Sequence, residues 1–124
     1  MSIRADLATR LRTAWSTHPV LKVVRVVSTE KNLGDVKQPT VLIRQKSIGT
    51  AKEAPLSYWA VGMLLTVISK HTDPERGAVE LDDIVPAILA YLDKSFQHED
   101  AEAVAYGSER LAYDIPTTVL APKG

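Results

Sequence analysis

Residues 57–70, SYWAVGMLLTVISK, decide how the rest of the chain must be arranged. Only Lys70, at the very end, is charged. Read at period two, Trp59, Val61, Met63, Leu65 and Val67 fall on one side, all apolar. Tyr58, Ala60, Gly62, Leu64, Thr66 and Ile68 fall on the other, mixed but mostly apolar. A strand with apolar groups on both sides must be covered on both sides. A helix would need the apolar run to continue, but His71-Thr72-Asp73-Pro74 breaks it. The segment is also too short to span a bilayer as a helix. It therefore reads as the long central strand of a sheet, with more surface to hide than one small domain readily hides.

The 124 residues, 45% of them apolar, are expected to form a single domain over 1–124 with a modest core. Without cysteine there is neither a disulfide framework nor a zinc–thiolate site, and an intracellular setting is the plain expectation. The first residues, MSIRADLATRLRTAW, lack the apolar region of a signal peptide and, with Asp6 and no Ser-rich stretch, do not read as a transit peptide. The protein is therefore expected to be soluble.

Net charge is zero but unevenly placed. Residues 1–52 hold ten Lys and Arg against three acids, or +7; residues 53–124 hold five against twelve, or −7. Such a split suits contact between copies, or it vanishes if the two halves interleave.

Working outward, residues 2–15 form an amphipathic helix, with Ile3, Leu7, Leu11 and Ala14/Trp15 on one side and Ser2 as N-cap. His18-Pro19 ends it. The β-branched run 20–29 is a strand, 30–38 a polar turn-rich loop, 40–48 a second strand, and 49–55 the connector into the central strand. Asp73-Pro74-Glu75 starts a helix, which Gly77 threatens to stop at once. Leu81, Ile84, Val85, Ile88, Leu89 and Leu92 make one clean helical face. Pro86 fits at its first turn, or kinks a helix that begins earlier. Residues 95–100 are a polar loop, and two strands, 101–106 and 111–120, close the chain around Gly107-Ser108-Glu109. Pro116 marks the last strand as edge or irregular. The order α-β-β-β-α-β-β predicts an α+β fold: a mostly antiparallel sheet with two α-helices packed on one face. The second face is left wanting a partner.

No chemistry stands out. His18, His71 and His98 lack ligand-spaced neighbours, and neither a nucleophile elbow nor a phosphate-cradling glycine loop exists. Asp82-Asp83 reads as helix-dipole complement rather than a catalytic pair, and Glu99-Asp100-Glu102 as a solvated loop. No cofactor or metal is expected. The basic half lacks interleaved aromatics, so only non-specific DNA contact is expected of it.

The N-terminal helix ending at His18-Pro19, the strand PTVLIRQ (39–45), the run SYWAVGMLLTVIS, the helix LDDIVPAILAYLD (81–93) and the closing LAYDIPTTVLA (111–121) together resemble the tail terminator, or tail completion, proteins of long-tailed bacteriophages and prophages. The resemblance is one of pattern and size across nearly the whole chain. It implies a non-enzymatic virion protein, made in the bacterial cytoplasm and resident in the tail. Its partners would be its own copies in a hexameric ring, the tail tube protein and the head–tail connector, with DNA passing through the lumen and no membrane involved. Other neck, head-closure or minor tail proteins share the plan, and a small-molecule-binding α+β domain is the alternative from another class. The family has no catalytic residues to carry over. For the subunit interface, the residues themselves nominate Arg25, Arg44 and Lys46 as the basic side and Glu80, Asp82 and Asp83 as the acidic side.

Overall fold

The computed structural model describes residues 2–28, 36–50, 56–107 and 110–123. Two helices, α1 (Ile3–Trp15) and α2 (Pro74–Ser95), lie on one face of a sheet of six strands. The strands are β1 (Arg25–Val27), β2 (Thr40–Gly49), β3 (Tyr58–Ile68), β4 (Gln97–His98), β5 (Glu102–Tyr106) and β6 (Arg110–Pro122). Their order is β1-β2-β3-β6-β4, with β5 also on β6. All pairings are antiparallel except β1 with β2. The α+β architecture is the expected one, and β3 is its central strand, paired along its length with β6 and along most of it with β2.

The period-two pattern of β3 becomes the two sides of the sheet. Val61, Met63, Leu65 and Val67 are buried beneath Leu7, Leu11 and Trp15 of α1 and Leu81, Ile84, Val85, Ile88 and Leu92 of α2. Val41, Ile43 and Ile115 complete that layer. Trp15 meets Tyr91 edge-on at 5.7 Å between ring centres, which ties the two helices together above the sheet.

Four expectations are corrected. The run 20–29 is mostly not strand: His18 Nδ1 accepts from the amides of Val20 (3.0 Å) and Leu21 (3.1 Å), and its carbonyl accepts from Lys22. Those bonds wind Leu21–Val23 into a 3-10 turn, leaving three residues for β1. Gly77 does not stop α2, which starts at Pro74 on the Asp73 cap and runs through it. The glycine is instead a point of close approach, because a Cβ there would lie 3.2 Å from Ser69 Oγ and 3.6 Å from Leu111 Cβ. Pro86 therefore sits inside the helix, an exposed position on a single continuous element.

The last correction concerns Pro116. The strand that carries it, β6, is interior, with β3 on one side and β5 and β4 in succession on the other. The Pro116 carbonyl accepts from Glu99 N at 2.9 Å. Its N-H-less side thus faces the gap where β5 has ended and β4 has not begun, so no ladder bond is lost. The polar stretch 95–100 contributes β4 across that gap. The turn at Gly107 (φ 65°) uses the left-handed region open to glycine. The expected turn at 32–35 and most of the connector after Gly49 lie outside the described residues.

Candidate functional site

The second face of the sheet is where covering runs out. At one end Leu42, Ile68 and Ala112 are buried, with Val36 over them and Val27, Val104 and Tyr106 at the margin. In the middle stands a polar relay. Arg44 Nη2 donates to Thr66 Oγ1 (2.9 Å), which donates to Asp114 Oδ1 (2.7 Å), and Arg44 lies 3.8 Å from that oxygen. Thr66 is buried, so its hydroxyl needs both partners. Beyond the relay no layer follows among the described residues. Leu64, Gly62 and Ala60 are half-buried, and Tyr58 and Leu120 are exposed. Leu56 (93% exposed) and Ile48 lie at the same end of the strands.

The six nominated interface residues do not form one site. Arg44 is committed to Thr66 and Asp114 within the chain. Arg25 is exposed on the outermost strand, and Lys46 is exposed as the residue between Gln45 and Ser47 at the β2 bulge, beside Leu64, Pro116 and Thr118. Glu80 is committed too. Its Oε1 accepts from Ser69 Oγ (3.0 Å) and Lys70 N (2.9 Å), while Lys70 Nζ and His71 Nε2 lie 3.9 and 3.7 Å from Oε2. It holds the β3–α2 connection closed, with His71 half-buried against it. Asp82 and Asp83 are exposed on α2.

Charge nevertheless segregates. Within the sheet the basic first half builds β1 and β2 and the acidic second half builds β3, β6, β4 and β5, while the helices cross between them: Arg10 of α1 lies over the Phe96 ring at 4.6 Å, and Glu75 and Asp83 of α2 share a groove with Val20 and Val23. The sheet ends at β1 with Lys22, Arg25 and Lys37 exposed, and at β4–β5 with Glu99, Asp100 and Glu102 exposed. The last three looked like a solvated loop in the sequence. Only the pairing of β4 and β5 with β6 makes them an edge.

Two further features were not foreseen. His98 lies 2.6 Å from Asp93 and 2.8 Å from the Glu99 carbonyl, which raises its pKa, the carbonyl contributing most. The five-residue spacing of Asp93 and His98 spans a helix end, which no helical-period search would pair. A groove of about 670 Å³ lies between the 3-10 turn and the first half of α2, its walls carrying the exposed Val20, Val23 and Val79. Among the described residues no three His, Asp or Glu side chains group to hold a metal, and no helix is long and apolar enough to cross a membrane. The chain matches no protein-family model and no curated protein.

Proposed function

We propose that this chain is a structural, non-enzymatic subunit that assembles head-to-tail into a ring, as the phage tail terminators it resembles do. In that role a ring of six would cap the head-proximal end of the tail tube, end tube polymerisation and present a surface to the head connector. DNA would pass through the lumen with non-specific contacts only. The protein would be made in the host cytoplasm and reside in the virion tail.

One observation carries this reading: among the described residues, no layer covers the second face of β3 and β6 beyond Thr66, leaving Tyr58, Leu64 and Leu120 to a neighbour. Soluble monomers rarely expose large contiguous apolar surface without a partner for it. The nearby loop ends at Gly49 and Leu56 stand at the same extremity, suited to the tube or the connector.

Mass measurement of the purified protein by light scattering and native mass spectrometry tests the self-assembly, with closed rings in negative-stain images as the expected result. A strict monomer at high concentration counts against it. For the tail role, a phage lacking the gene is expected to make tails of uncontrolled length; tails of normal length without heads would instead favour another neck or head-closure protein. The groove beside α2 supports a second reading, a small-molecule-binding domain. That reading requires a ligand-dependent rise in melting temperature with no self-association.

A further inference from the structure

The two lateral edges of the sheet differ in charge, and we infer that they are the two halves of one contact: the β1 edge of each copy docks on the β4–β5 edge of the next. This rests on the ring reading and specifies which surfaces meet. Lys22, Arg25 and Lys37 stand exposed on or beside the first edge, and residues 20–28 and 36–40 carry no carboxylate; the acids nearest them, Glu75 and Asp83, sit on α2 across the groove from Val20 and Val23, on the helix side of the sheet. Glu99, Asp100 and Glu102 stand exposed on the second, where Asp93 is held by His98 and the cations nearby are Lys94, Arg10 over the Phe96 ring, and Arg110, whose guanidinium donates to the Lys70 carbonyl.

The edges cannot neutralise each other within one copy. Four strand spacings separate β1 from β5, or about 19 Å at roughly 4.8 Å each. That is about twice the screening length of about 10 Å at 0.1 M salt. A two-fold pairing of like edges would bring cation to cation and carboxylate to carboxylate. Pairing unlike edges uses different surfaces on each copy, the geometry that closes into a ring.

The contact is made by side chains and is not an extension of the sheet. The Arg12 guanidinium donates through Nε (3.2 Å) and Nη2 (2.7 Å) to the carbonyl of Val26, and Gln38 donates to that of Val23. The β1 edge is thereby sealed against another strand. Charged rims of this kind chiefly set register and salt dependence.

Charge reversal tests the pairing in the full chain. Arg25→Glu and Glu102→Arg are each expected to weaken self-association about tenfold at low salt, with the double variant recovering most of the loss. Because the chain has no cysteine, Ser28→Cys and Ala103→Cys add unique thiols. A bis-maleimide linker should join the two variants when mixed, and neither variant to itself. Rings that form but ignore the reversals, or that link like to like, overturn the edge pairing while leaving the ring reading standing. A chain that stays monomeric overturns both. Unchanged circular dichroism and melting temperature establish that each variant is folded.

Discussion

The imidazole Nε2 of His98 lies 2.6 Å from Asp93 Oδ1, bridging β4 to the last turns of α2. The partner of its Nδ1, the Glu99 carbonyl, can only accept. A ring protonated at both nitrogens satisfies both contacts, so the folded state favours the cation and raises the pKa. The stability this confers is fully present below the unfolded value of roughly 6.5 and is lost as pH rises through the folded pKa. Denaturation followed upward in pH from below that unfolded value should show the loss, and His98→Gln should flatten it. In Asp93→Asn, histidine NMR titration should show the His98 pKa falling back toward its ordinary value.

Gly62 and Ser47 face each other beside the bulge in β2, and a Cβ on residue 62 would come 2.4 Å from Ser47 Oγ. That oxygen ends a short rotatable side chain, so it can swing away at a cost of about 0.5–1.5 kcal/mol. Gly62→Ala should be destabilising by about that amount in urea denaturation. Adding Ser47→Ala should remove the penalty, since the remaining contact, to Ser47 Cβ at 3.7 Å, is ordinary. Independent, additive losses in the double variant would contradict this.

Two leucines on the paired central strands, Leu65 of β3 and Leu120 of β6, should behave differently. Leu65 is fully buried under the helices, so Leu65→Ala should cost about 2–5 kcal/mol. Leu120→Ser, on the open second face at 51% exposure, should leave the melting temperature nearly unchanged and weaken self-association. Calorimetry and sedimentation velocity separate the two effects.

Pro86 interrupts α2 at an exposed position, where it offers no N–H to the carbonyl four residues earlier. Pro86→Ala should stabilise the protein by about 1–3 kcal/mol in chemical denaturation. A loss instead would mean that the surroundings, Asp82, Leu89 and Tyr113 among them, are shaped around the ring.

Local chemistry was enough to locate β3, the apolar stripe of α2 and the helix-plus-sheet class, because alternation and helical spacing are properties of neighbours along the chain. Even Gly77 and Pro86, which argued for a shorter α2, yielded to its packing against the sheet. Three things lay outside those periodic patterns, the first through a side chain two and three residues away and the others through residues farther along the chain. The imidazole of His18 turned a β-branched run into a 3-10 turn. Asp114 and Glu80 took Arg44 and Lys70 out of the pool of free charges. The order β1-β2-β3-β6-β4 put the basic half at one edge and the acidic half at the other. Strand order follows from which long-range pairings bury the most apolar surface together, and no window of sequence contains that information.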